Sequence, residues 1–492
     1  MLVAIFVHLS KRGPASLGRK ALYSIQDLIY VTHVCKSWRQ VAVAAPELWT
    51  EITMTKLEVV KVFLGRSGVV PLNVDLRLDS EAGTDGELLE AVVPHTRRFR
   101  QLSVIAHQGR GEIESMPFTE PAPLLERLAI HHPLGSRPVL LFDDQTPRLR
   151  ELVMFTNGLW LQNQFGNLTS LHITLSRVRR TRSDSLPLFD MLRRCPVLEE
   201  MFISWGGWGE QLEPPQLPAV PLHRLRKLLL RSFRVENIKC LLRVFDLRTD
   251  GIAIHLSGVF PGREGSDTIA GVQAMFPNDN SSQPSLASST KLELIFHTRP
   301  RTMIMHAVGP GFSIRIDLCP DDFLPPDDVV HTHMNHTFCN VFPSVKELWV
   351  RESSRVDTEI GGIENFTALE KLVLIGRGSM MARNLRQALS PDPSGVPPCP
   401  LLSAIDCHGN TSEMREMFLL LRTRSTADRQ LKKVRVPPRF IPLPADIASC
   451  VGDVGILNIP PNILHTYSME LPEFCFPEGE HRWWKTWKSR LN

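Results

Sequence analysis

At 492 residues, 43% of them hydrophobic, the chain can bury a sizeable core and is long enough for about two to four ordinary domains, or one small domain joined to a long repeat array. Its 56 basic and 52 acidic residues leave a formal net charge of +4, which excludes a global field directed at nucleic acid or an acidic membrane. No apolar run approaches the roughly 20 residues that span a bilayer. The nine cysteines include no C-x-x-C pair, a usage that suits buried free thiols in a reducing compartment. An intracellular protein, cytoplasmic or nuclear, is expected.

Leu2, Ile5, Phe6 and Leu9 fall at i, i+3, i+4 and i+7 and predict an amphipathic helix over residues 1–10. Lys11 and Arg12 follow this run rather than precede it, the reverse of a cleavable signal, so no targeting peptide is read. The loop from Gly13 to Lys20 nearly spells G-x-x-x-x-G-K-[ST], but Arg19 displaces the lysine and Ala21 has no hydroxyl for magnesium. A basic loop between helices is the better reading. Residues 21–30 predict a second short helix. Val34, Trp38, Val41 and Ala42 then recur at i, i+4, i+7 and i+8, one apolar face of a helix that Pro46 ends, and Leu48 and Trp49 follow the break.

Leu57, Val60 and Leu64 predict a helix closed by Gly65 and Gly68, after which Val74, Leu76 and Leu78 alternate as in a half-buried strand. From Phe99 onward one spacing recurs: a bulky apolar residue, another three later, another two after that. Phe99, Leu125, Leu149, Leu168, Leu198, Leu225, Val345, Leu369, Leu402 and Leu431 each open it. This is the L-x-x-L-x-L core of a leucine-rich repeat, in which a turn feeds a strand whose alternate side chains point inward. The repeats are irregular in length, and only Asn157 and Asn410 fall where a laddering asparagine belongs. Leu188/Met191/Leu192, Ile238/Leu241/Leu242/Phe245 and Met414/Met417/Phe418/Leu421 predict helices between strands.

Residues 246–343 break the rhythm. Ile252/Ile254/Leu256, Leu292/Leu294/Phe296, Met303/Met305 and Phe312/Ile314/Ile316 alternate as strands, with Gly309-Pro310-Gly311 marking a hairpin that is either inserted or formed by distorted repeats. The polar run from Asn278 to Thr290 is expected to be a disordered loop. His331, His333, His336 and Cys339 carry zinc-binding residue types, but no second cluster completes a finger, and a solvated loop is favoured. Trp483, Trp484 and Trp487 alternate with cations at the C-terminus and are read as a cap on the last repeat. Asp143-Asp144 and Asp321-Asp322 read as solvated turns. No G-x-S-x-G, H-E-x-x-H, Cys-His or dinucleotide signature is present, so neither catalysis nor a cofactor or resident metal is expected.

Two elements stand together: Val34-Cys35-Lys36-Ser37-Trp38-Arg39, then Pro46-Glu47-Leu48-Trp49. With this pair, and the helix, Arg66-Ser67-Gly68 turn and strand after it, the sequence resembles the fungal F-box-like proteins. The resemblance implies a small N-terminal helical unit, here 1–55, incomplete at its start because Met1 stands where a Leu-Pro-x-Glu opening would have its middle. The alternation of strand and helix gives an α/β class, with an irregular leucine-rich-repeat-like solenoid over 56–245 and 344–440, the irregular 246–343 between them and a cap over 441–492. The resemblance also implies a substrate-recruiting subunit of a cullin-based ubiquitin ligase, bound to a Skp-type adaptor and an unknown protein target, with no nucleic acid or membrane partner. Leu2, Ile5, Phe6, Leu9, Val34, Cys35, Trp38, Leu48 and Trp49 would divide between adaptor docking and the unit's core. The competing expectation is a repeat scaffold that binds proteins but no longer docks on the ligase.

Overall fold

The computed structural model describes residues 28–52, 56–78, 85–106, 117–132, 138–156, 160–175, 186–205, 219–247, 251–259, 275–276, 285–298, 301–318, 341–352, 363–376, 379–390, 398–426, 430–460 and 468–472. The chain is mixed α/β and divides into two compact units, Met1–Glu210 with Val220–Arg224, and Gln211–Ala219 with Leu225–Asn492. Leu2, Ile5, Phe6, Leu9, the Gly13 to Lys20 loop, Asn157, the His331 to Cys339 cluster and the tryptophans of the tail lie outside the described residues. Among those described, no helix is long and apolar enough to cross a membrane.

In the first unit, β1 (Glu51–Ile52), β2 (Leu72–Leu78), β3 (Phe99–Ala106), β4 (Arg127–His132), β5 (Glu151–Thr156), β6 (Ser170–Leu175) and β7 (Glu200–Trp205) pair in that order, each parallel to the next. Their register stacks Val74, Leu102, Leu128, Leu152, Leu171 and Met201 in one row, and Leu76, Val104, Ile130, Met154, Ile173 and Ile203 in the next. Both rows are buried, as are the residues that open each spacing in this unit, Phe99, Leu125, Leu149, Leu168 and Leu198. Strand side chains alternate between faces, so the spacing that buries these rows sends the residues between them to the opposite face.

The second unit repeats the arrangement with β8 (Lys227–Arg231), β9 (Ile252–Val259), β10 (Lys291–Thr298), β11 (Arg301–Gly309), β12 (Phe312–Leu318), β13 (Glu347–Glu352), β14 (Lys371–Ile375), β15 (Ala404–His408), β16 (Leu431–Val436) and β17 (Val451–Ile456). Spatially the order is β8-β9-β12-β11-β10-β13-β14-β15-β16-β17, with β11 antiparallel to both its neighbours and every other pairing parallel. Strands from 246–343 therefore continue the sheet. The β11–β12 turn needs its glycines: Gly311 has φ +75°, and a Cβ on Gly309 would come within 2.2 Å of the Phe312 ring.

Helices form at Leu57–Arg66, Leu186–Arg193, Val235–Val244 and Thr411–Thr426, where the spacing of apolar residues predicts them, and also at Asp85–Val92 and Ser379–Leu389. Three expectations need correction. The helix carrying Val34 and Trp38 is not continuous: residues 28–34 are helical, Cys35 turns extended at φ −157°, and its Sγ accepts the Trp38 amide at 3.4 Å as the N-cap of Lys36–Val43. Asn410, expected to ladder between strands, caps a helix. Its Oδ1 accepts the Ser412 and Glu413 amides while Glu413 accepts the Asn410 amide, a capping box at the start of Thr411–Thr426. The polar run expected to be disordered is ordered over its described residues 285–290, where a 3-10 turn at Leu286–Ser288 buries Leu286 and Ser289, while 278–284 lie outside the described residues. One apolar anchor outweighs the polar composition around it.

Because Leu171 is buried in the row formed with Leu152 and Met201, Leu171→Ala is expected to cost about 2–5 kcal/mol, read as a lowered urea midpoint. His172→Ala, one residue along on the opposite face, is expected to cost less than half as much.

Candidate functional site

The segment around Pro46 is a joint. Pro46–Trp49 forms a 3-10 turn, and the Trp49 indole N–H donates to the Ala42 carbonyl at 2.9 Å, pinning the turn to the helix before it. The indole also meets the Phe63 ring edge-on at 5.1 Å, and the Arg66 guanidinium lies 4.3 Å from its centroid. Directly after this turn Glu51 pairs with Asn73 and accepts its side-chain amide at 2.6 Å, opening the sheet. Arg39 Nε reaches back to the Thr32 carbonyl at 2.8 Å and ties the helical turn over 28–34 to the helix that follows.

This construction sorts the residues singled out by sequence. Leu48 and Trp49 are buried, Trp38 is half-buried, and Val34 and Cys35 are exposed. Ile29 and Tyr30, which the sequence pattern did not single out, join Val34 as large apolar side chains open to solvent at 49%, 66% and 59%. Leu28 and Val31 turn inward from the same helical stretch. Their spacing is amphipathic, but the outward side is apolar as well, and that excess was the available signal.

Opposite the leucine rows of the first unit, the strand face is half-buried and carries Ile105, His131, Val153, Phe155 and His172, with Phe202 nearly closed over. His131 opposes Phe155 with ring centroids 4.2 Å apart, and His172 opposes Phe202 at 4.0 Å, both edge-to-face. These are two edge-to-face ring pairs on one face, one across β4 and β5 and one across β6 and β7.

The equivalent face of the second unit is charged and closed. Spatial order places His255, Arg315, His306 and Glu293 as cross-strand neighbours on β9, β12, β11 and β10, all at 2% exposure or less. Arg315 Nε donates to Asp317 at 2.7 Å and His255 Nε2 to the same carboxylate at 3.0 Å. His306 Nδ1 donates to Glu293 at 2.7 Å, and Arg351 reaches its other oxygen at 3.2 Å. Burial pushes both imidazoles below their ordinary value, so each is a neutral donor. Burial alone would raise the carboxyls, but for Glu293 the His306 hydrogen bond and the Arg351 charge outweigh it, and for Asp317 those of His255 and Arg315 do, so both stay ionised. Within this cluster Arg315 is thus paired with Asp317 and Arg351 with Glu293. At the rim, Lys291, Glu347, Lys371, Asp406 and Arg435 continue as an alternating chain of ion pairs.

Burial pushes the Cys195 and Cys407 thiols up to about 12 and Cys240 to about 11, away from the thiolate form. No protein-family model matches the chain, and no curated protein matches its sequence.

The closed charges give a pH dependence. Folded His255 and His306 refuse protons that the unfolded chain takes up below about pH 6.5, so they withdraw stability as pH falls through that value. Glu413, pushed up to about 7 by burial, works the other way between 4.5 and 7. In a Glu413→Gln background the urea midpoint is therefore expected to fall from pH 7.5 to 5.5, and to fall less in the unsubstituted chain.

Proposed function

We propose that the chain is a substrate-recruiting, F-box-like subunit of a cullin-based ubiquitin ligase, with a small N-terminal helical unit that docks on a Skp-type adaptor and an irregular leucine-rich-repeat-like solenoid that holds a target protein. The observation that carries this reading is the division of labour between residues 28 and 49. Leu48 and Trp49 are locked into the body, while Ile29, Tyr30, Val34 and Cys35 are left at the surface of the same short segment. Three large apolar side chains exposed within six residues concentrate apolar surface in one place, the pattern that favours a docking surface over a merely covering helix.

Further support comes from the strands. The repeated spacing buries one face in register, which is how a leucine-rich array presents its other face. In the first unit that face carries the half-buried His131, Phe155 and His172 rings, surface suited to an apolar or aromatic segment of a target. The chain's contribution to ubiquitin transfer is then proximity: it raises the effective concentration of a target lysine near the charged enzyme and supplies no reacting group.

Co-expression with a Skp-type adaptor tests the reading. The chain is expected to co-purify with the adaptor. Val34→Asp together with Tyr30→Asp should abolish the complex without moving the thermal transition, whereas Trp49→Ala should cost about 3–5 kcal/mol of stability. A folded chain that forms no complex would leave a repeat scaffold that binds proteins without the ligase.

A further inference from the structure

The charged strand face of the second unit is closed in part by a segment distant in sequence. Ser468 Oγ donates to Glu293 Oε2 at 2.6 Å, adding a third side-chain donor to a carboxylate already held by His306 and Arg351. Met469, 4% exposed, packs into a cluster with Val308, Trp349, Val373 and Ile375, and Leu471 packs against that cluster. All four sheet residues lie on the same face as Glu293, since Trp349 opposes both Glu293 and Val373 in the register and Val308 opposes Lys291. The segment is neither strand nor helix. One hydroxyl reads the buried carboxylate, one long flexible side chain fills an apolar depression, and a second apolar side chain covers its edge.

A face that served only to be covered would be more stable with apolar residues in place of these charges, because desolvation largely cancels the attraction of a buried ion pair. Charges fixed by two-sided hydrogen bonding suit selection instead: Glu293 accepts a donor and rejects an anion. We propose that residues 468–471 are a self-held occupant of a peptide-binding site. The site takes a target segment bearing a hydroxyl-containing residue, then a long unbranched apolar residue, then a second apolar residue two positions on. Phosphorylation of that hydroxyl blocks entry, since the phosphate would face Glu293. The inference deepens the target-recruiting reading and rests on it only for the claim that the incoming segment belongs to a ligase target.

Being tethered, the occupant competes at an effective concentration in the millimolar range and must leave before a target enters. The test uses the full chain and a fluorescently labelled synthetic peptide of the sequence from Thr466 to Pro472, read by polarisation. Met469→Asp expels the segment by placing a carboxylate in the apolar depression, and this variant is expected to bind the probe at least about ten-fold more tightly than the unsubstituted chain. A probe phosphorylated at the Ser468 position should not bind the variant. Equal affinity of the two proteins, absence of saturable binding, or equal binding of the phosphorylated probe would overturn the proposal. So would loss of cooperative unfolding in the variant, which would make the segment part of the core. No adaptor is present in this assay, so its failure is separate from failure of the ligase complex.

Discussion

Parallel pairing in fixed register is the constraint on which the rest depends. In each unit a row of large apolar residues lies strand over strand, as Leu102, Leu128, Leu152 and Leu171 do in the first and Leu292, Leu348, Leu372 and Ile405 do in the second. A slip of one residue would exchange the faces and carry Glu293 or His306 into the leucine rows, at a cost no rearrangement of side chains could recover. The buried rows thereby also fix what the opposite faces display, because each outward residue is held between two inward ones.

The two faces differ in chemistry. That of the first unit is half open and built from rings in contact, a chemistry tolerant of many apolar partners. That of the second is shut, and its two carboxylates gather the donors around them, Asp317 holding Arg315 and His255 and Glu293 holding His306, Arg351 and Ser468. Exposed pairs at the rim such as Lys346–Glu370 are worth little individually. The buried set is different: truncating any member would strand its partner in a medium that cannot solvate it.

The leucine spacing was legible because strand burial is a one-dimensional property: every second side chain goes inward, whatever the strand's neighbours. The strands of 252–318 were legible on the same ground. Which outward residues meet was not. His255, Arg315, His306 and Glu293 come together in an order that runs backward along the chain from 315 to 293, and only the antiparallel placement of β11 produces it. Cys35 was misread for a related reason: whether a small polar residue continues a helix or caps it is decided by backbone angles that neighbouring packing selects, and apolar periodicity does not report them. Asn410 satisfied a strand-repeat pattern and a helix-capping pattern at once, and the glutamate three residues later decides for the cap.

The reversed strand β11 also explains how two ion pairs coexist under one cover. It sets His306 between Arg315 on β12 and Glu293 on β10, so a neutral imidazole separates the Arg315–Asp317 pair from the Glu293–Arg351 pair. Were the spacer charged, Arg315 would oppose it and burial would penalise it; were it apolar, Glu293 would lose a donor. A neutral histidine meets both conditions and leaves Glu293 Oε2 able to accept from an outside hydroxyl. In the structure Ser468 supplies that hydroxyl, so the feature that lets the sheet tolerate its buried charge is also the one that gives the face something to recognise.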